Sequence, residues 1–365
     1  MAICKNCGKS SENITKVLTL CAECIRCADN DVLSEIKEVH IKSREKFGLP
    51  ALPPYNQEGR LCRFCQNSCH ILIGERGYCG VRRNEKGHLI GGTPKEAAVS
   101  WYYDPLPTNC VADWVCAGGT GTGYPKWAHQ ARAEYGYQNL AVFYEACTFN
   151  CLFCQNWHYR KNSKTRETRS AHELAEAVNS RTSCICFFGG DPTCQLPHAL
   201  AASRLVRKQN QQQILRICWE TNGSMNPNLL DKMIDLSLES GGCIKFDLKA
   251  MDQNIHYALC GVSNKRTLEN FARTAQRISE RPQLPLLIAS TLLVPGYIDR
   301  NEVTAIASFI AELDPNIPYA LLGFHGDFHM TDLPRTSWDQ ANRCLQAAES
   351  AGLKHVRIGN THILT

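Results

Sequence analysis

Leu140-Ala-Val-Phe-Tyr-Glu-Ala-Cys147-Thr-Phe-Asn-Cys151-Leu-Phe-Cys154 joins an apolar run to three cysteines spaced Cys-x3-Cys-x2-Cys. The run over residues 140–144 predicts a buried strand, with the cysteine loop leaving its C-terminal end. Three thiolates are one short of a closed structural zinc site, which takes four ligands. A four-iron cluster on three protein thiolates keeps one iron open to a reactant. The spacing therefore points to an enzyme.

Downstream, the same texture recurs. Apolar runs at 184–188, 215–219, 243–246, 286–294 and 319–322 predict further strands. They end in Gly189-Gly190-Asp191-Pro192, Glu220-Thr-Asn-Gly223, Asp247-Leu-Lys249, Pro295-Gly296 and Gly323-Phe-His325, and residues 355–358 make a last short strand. Helices fall between them. Ser170-Ala-His-Glu173 has capping-box spacing for a helix to about residue 180, and Asn226 caps a helix through 229–238. Further helices are expected at 200–208, 267–278 and 303–313, and Ser337 with Gln340 opens the last one, ending at Gly352. Strand–helix repeats imply an α/β fold with a parallel sheet. The expectation is a partial (β/α)6 TIM-like barrel with N-terminal cysteine-rich metal-binding modules. In such barrels the active site lies where the strands end, so these distant polar motifs converge.

Upstream of the barrel (138–365), three segments are expected. Residues 1–30 hold Cys4-x2-Cys7 and Cys21-x2-Cys24, with Cys27 surplus. Two such knuckles read as a zinc ribbon, with iron–sulfur as the alternative. Residues 31–59 read as a helix and a proline-stiffened linker. Residues 60–137 carry Cys62, Cys65, Cys69 and Cys79, enough to close a site around zinc or an iron–sulfur cluster. The glycine-rich stretch at 116–125 lacks the Gly-Lys-Ser/Thr ending of a phosphate loop and reads as a flexible loop near the active centre.

The chain has 365 residues, 44% hydrophobic and 21% charged, with a net charge of +5 and no basic run. Nucleic-acid binding is not indicated, and no apolar run is long enough for a membrane span. Twenty-one cysteines beside an opening Met1-Ala-Ile-Cys-Lys5 without a signal-peptide core point to metals in a reducing cytoplasm rather than disulfides.

The cysteine loop with Gly189-Gly190 resembles the radical S-adenosylmethionine (SAM) superfamily. Glu220-Thr-Asn-Gly223, Asp247-Leu-Lys249, Gly261-Val-Ser-Asn264, Arg266-Thr-Leu-Glu269 and Val294-Pro-Gly296 resemble its pyruvate formate-lyase activating enzyme branch. The Cys62–Cys79 block, Cys154-Gln-Asn-Trp157 and the tail around Phe324-His325 and Ile358-Gly-Asn360 look like the AmmeMemoRadiSam-type enzymes. The resemblance covers roughly residues 60–365. It implies a [4Fe–4S] cluster on Cys147, Cys151 and Cys154, SAM on the open iron, and a 5′-deoxyadenosyl radical that removes hydrogen from a substrate.

It further implies that Phe153 packs near the adenine and that Gly189, Gly190 and Asp191 meet the methionine amino group. Glu220, Thr221 and Asp247 would hold a cation beside the SAM carboxylate, and Lys249 and His325 would contact SAM or substrate. Ser290 stands where the activating enzyme has an arginine. An electron donor such as a ferredoxin or flavodoxin is implied, with glycyl-radical formation on a partner protein as one outcome. The alternatives are radical modification of a small molecule, a peptide or RNA, and a non-catalytic zinc-binding interaction protein.

Overall fold

A computed structural model describes residues 1–108, 110–162 and 167–365, of Asn162 the backbone alone. An eight-stranded sheet dominates it. In chain order the strands are β1 (Val99–Pro105), β2 (Gln138–Tyr144), β3 (Thr182–Gly189), β4 (Arg216–Thr221), β5 (Ile244–Asp247), β6 (Leu287–Leu293), β7 (Tyr319–Gly323) and β8 (Val356–Gly359). The spatial order is β8-β7-β6-β5-β4-β3-β2-β1. Strands β2 to β8 run parallel, in register from Ile185 opposite Leu140 to Tyr319 opposite Val356, and β1 joins β2 antiparallel. This is the expected partial barrel, with one strand more. β1 lies at the sheet's edge and is half-buried to exposed beyond Val99, whereas the interior strands are mostly buried.

Eight helices matter here: α1 (Asn30–Glu45), α2 (Ala171–Glu176), α3 (Leu196–Gln209), α4 (Pro227–Ser240), α5 (Gln253–Cys260), α6 (Lys265–Ala275), α7 (Arg300–Leu313) and α8 (Trp338–Ser350). The capping box before α2 forms in full: Ser170 accepts from Glu173 N while the Glu173 carboxylate accepts from Ser170 N. Asn226 caps α4 as expected. Ser337 caps α8, but the Gln340 side chain turns away to Ile298 O, so that box is half made. Helix α5, which the sequence reading passed over, packs against α1 and its own C-terminus borders the cysteine loop.

Two further segments clamp the barrel. Near the N-terminus, Thr15 Oγ1 donates to Asp332, and the Tyr297 hydroxyl donates to Leu20 O. The described residues of 106–137 lie against the N-terminal ends of β4 and β5, with Cys110, Ala112 and Cys116 packed on Cys218 and Cys243. There Glu134 and Arg216 form a buried two-pronged ion pair, at 2.8 and 2.6 Å. Breaking such a pair costs about 3–5 kcal/mol.

The glycine-rich stretch belongs to this floor, which corrects its reading as a flexible loop beside the active centre. A Cβ on Gly119 would lie 1.7 Å from Asp113 O, and one on Gly121 2.3 Å from Arg132 N. These glycines are demanded by close backbone packing. No helix among the described residues is long and apolar enough to cross a membrane.

Candidate functional site

β2 ends in the loop that carries Cys147, Cys151 and Cys154, and the loop is pinned from several directions. Asn150 N donates to Cys260 O at 2.8 Å and Leu152 N to Leu259 O at 2.9 Å, tying it to the end of α5. The Asn150 amide meets His40 Nδ1 of α1 at 2.9 Å, and His40 Nε2 lies 3.1 Å from Ala258 O. That pair of contacts suits a neutral imidazole, and burial lowers the His40 pKa to about 4. Asn222 Nδ2 donates to Thr148 Oγ1 at 2.9 Å, and Asn67 Nδ2 to Thr148 O at 2.9 Å. The loop is therefore organised before anything binds.

Cys151 is buried and Cys147 and Cys154 are half-buried, in a setting that suits a metal. Cys147 Sγ accepts from Phe149 N at 3.4 Å and Asn222 Nδ2 at 3.6 Å. Burial pushes Cys147 up, and Cys154 up to about 11. Arg160 and Lys249 oppose this by favouring the thiolates of Cys151 and Cys154. Among the described residues the three sulfurs do not form a group lying within 4.8 Å of one another, as a single ion would require. A cluster of four irons spreads its ligands wider than one ion does, so the loop fits the [4Fe–4S] group that the resemblance implies.

At the neighbouring strand ends, Asp247 is the hub. Its carboxylate accepts from Lys245 Nζ at 2.6 Å, Ser290 Oγ at 2.8 Å and Lys249 Nζ at 3.1 Å. Burial alone would raise its pKa, but the two ammonium groups and the hydroxyl hold it far below the usual carboxylate range. Lys245 also reaches Glu220 Oε2 at 3.1 Å. An ammonium thus lies between the two carboxylates expected to share a cation, and Lys245 places a positive charge there. Ser290 contacts Asp247. Phe153 is buried, with Lys249 Nζ 5.8 Å from its ring centre.

Thr221 points away from Glu220 and donates to Asp191 at 3.0 Å. Asp191 also accepts from Asn222 N at 2.7 Å and Thr193 N at 2.8 Å. Both oxygens are engaged, and these bonds tie the end of β3 to β4. A Cβ on Gly189 would lie 2.4 Å from Tyr144 N, and one on Gly190 2.1 Å from Ala146 O. Close backbone packing against the cysteine loop therefore requires both glycines. His325 lies two residues past β7, and among the described residues no hydrogen bond or ion pair links it to Asp247, Lys249 or the loop thiols.

The two upstream cysteine sets differ. The sulfurs of Cys4, Cys7, Cys21 and Cys24 all lie within 4.8 Å of one another, with Cys7 to Cys21 at 3.8 Å. A tetrahedral ion with bonds of about 2.3 Å spaces thiolates by about 3.8 Å, so this knot suits a single ion. Cys27 is exposed and stands outside it. Cys62, Cys65, Cys69 and Cys79 are near enough to feel one another's charge, but no three of them gather that tightly. Their knuckle docks on the site: Gln66 N donates to Ser224 O at 3.0 Å and Asn226 N to Phe64 O at 2.8 Å.

Sequence reasoning missed several participants. Cys260 places its sulfur 3.6 Å from Cys151, and Cys194 contacts Cys79. Neither follows a spacing rule, because the fold alone brings them close. Lys245 did carry a signal: a lysine in the middle of an apolar parallel strand is buried only if paired.

A family profile described as the radical SAM superfamily matches residues 141–310. An uncharacterised protein of Methanocaldococcus jannaschii is 25% identical over 309 residues, 82% of this chain and 80% of that one. Isethionate sulfite-lyase activating enzyme of Oleidesulfovibrio alaskensis is 32% identical over 39% of this chain, and pyruvate formate-lyase 1-activating enzyme of Escherichia coli K12 is 28% identical over 44%. The matches span 41% and 63% of those two activating enzymes.

Proposed function

We propose that the chain, whose residues 141–310 match the radical SAM superfamily profile, cleaves SAM reductively and uses the product to take hydrogen from a partner polypeptide. The observation that carries this reading is the pre-organised three-thiolate loop beside the Asp247–Lys249 pair. Cys147, Cys151 and Cys154 would hold three irons of the cluster and leave the fourth for the amino and carboxylate groups of SAM. When bound, cluster and SAM supply the electron and the carbon–sulfur cleavage that gives the 5′-deoxyadenosyl radical.

The chain's own residues supply position and charge. Asn222 and Phe149 N donate toward Cys147. Lys249, held by Asp247, places a cation beside Phe153 and the Cys151 thiolate, suited to an anionic group of SAM or substrate. Lys245 neutralises Glu220 and Asp247 without an added ion. Zinc in the Cys4–Cys24 knot would be structural. A reduced ferredoxin or flavodoxin in the cytoplasm would deliver the electron.

The names of the activating-enzyme relatives support a polypeptide as substrate and a glycyl radical as product. The test is anaerobic turnover with candidate partners deuterated at glycine. Deuterium in 5′-deoxyadenosine and a glycyl radical signal support the reading. Deuterium arriving instead from a small molecule, a short peptide or RNA replaces the substrate class and leaves the SAM chemistry standing.

A further inference from the structure

Beneath the strand ends, the barrel interior is lined with thiols that the chemistry above does not use. Cys110 Sγ lies 3.2 Å from Glu220 Oε1, and with Cys186 it forms a set whose ligand atoms all lie within 4.8 Å of one another. Cys110 comes from the floor segment, Cys186 from the middle of β3, and Glu220 from the end of β4. More soft donors, Cys116 and Cys218, line the adjoining cavity.

We propose that Cys110, Cys186 and Glu220 form a metal site inside the barrel, taking a zinc-class divalent cation with one coordination position open. Two thiolates and a carboxylate are a donor set that zinc accepts, and three protein ligands with a free fourth position mark reactive rather than structural sites. The carboxylate is already oriented for this: Lys245 holds Oε2 at 3.1 Å, while Oε1 faces Cys110. Such a partner fixes a ligand and tunes its basicity. Charge closes too. Two thiolates and one carboxylate give −3, the ion adds +2, and the buried Lys245 ammonium adds +1.

The adjoining cavity has about 30 Å³ of room for solvent. Since one water needs about 10–15 Å³ on that measure, the open position would take water or one small donor group. The site differs from the cation pocket expected at Glu220 and Asp247: two of its three ligands are sulfur, and it lies on the opposite oxygen of Glu220.

The test uses the full chain, apo under anaerobic reducing conditions, titrated with Co(II) and separately with Zn(II). Wild-type protein should bind one more equivalent of Co(II), with thiolate charge-transfer absorption, than Cys110→Ser/Cys186→Ser. Cys7→Ser should lose a different equivalent, and the combined variant both. Alkylation of Cys110 in the wild-type chain gives a readout free of any folding defect: Zn(II) should slow it more than tenfold. Equal Co(II) stoichiometry in wild type and the double variant, or Cys110 alkylation indifferent to Zn(II), overturns the proposal. Release of 5′-deoxyadenosine from the iron-loaded protein reports separately on SAM cleavage, so failure of one reading is distinguishable from failure of the other.

Discussion

The Cys4–Cys24 knot and the Cys147–Cys154 loop each present clustered cysteines, yet they are built in opposite ways. The knot gathers four sulfurs from one short stretch of chain, tightly enough for a single ion. The loop offers three sulfurs spread wider, and its shape comes from elsewhere: α1 through His40, the upstream knuckle through Asn67, β4's end through Asn222, and α5 through Cys260 O. A closed ligand set with local folding signals a structural metal. An incomplete set held by remote groups signals a reactive one.

The largest expected effect separates the two. Replacing Cys147, Cys151 or Cys154 with Ala should remove the iron and lower SAM cleavage at least about 1,000-fold, while leaving the fold in place by circular dichroism. Cys21→Ala should do the reverse. Structural zinc contributes about 10–16 kcal/mol of apparent binding free energy to small modules. Loss of an ion bound at the knot should expose residues 1–30 to proteolysis while cleavage of SAM falls no more than several-fold.

A smaller effect is expected at Lys245. Lys245→Met leaves Glu220 without its ammonium partner and Asp247 with Lys249 and Ser290 alone. The lower end of the 3–5 kcal/mol range for broken buried pairs is expected, read from denaturant midpoints. Wild-type SAM binding should be unchanged when potassium is replaced by tetramethylammonium, and the variant should bind SAM better with potassium. Potassium dependence in the wild type would contradict the role given to Lys245.

The smallest effect is one of pH. Burial lowers His40 from 6.5 to about 4 in the folded chain. Below 6.5 the unfolded chain takes up a proton that the folded site refuses, so this contribution is complete above pH 6.5 and is lost as pH falls toward 4. The melting temperature should decline over that window, and His40→Gln should shallow the decline.

Much of this arrangement was legible from local pattern. Apolar runs such as Ile185–Phe187 are buried on both faces, and glycine or acidic residues punctuate their ends, so strand order and the convergence of Asp247, Lys249 and the cysteine loop could be anticipated. What was not legible depended on register and packing. β1 looks half polar because it is an edge strand. Thr221 and Asp191 hydrogen-bond to each other inside the fold, a contact no local pattern announces. Cys110, Cys186, Cys194 and Cys260 have no spacing signature, since tertiary contacts set their neighbours.

The most direct test of the central claim is single: anaerobic, iron- and sulfide-reconstituted wild-type protein mixed with dithionite and SAM, with 5′-deoxyadenosine quantified by chromatography. The loop account predicts 5′-deoxyadenosine in the wild type and none above background in Cys151→Ala. Its absence from wild-type protein that holds four irons per loop, or its formation by the Cys151→Ala chain, would contradict the account.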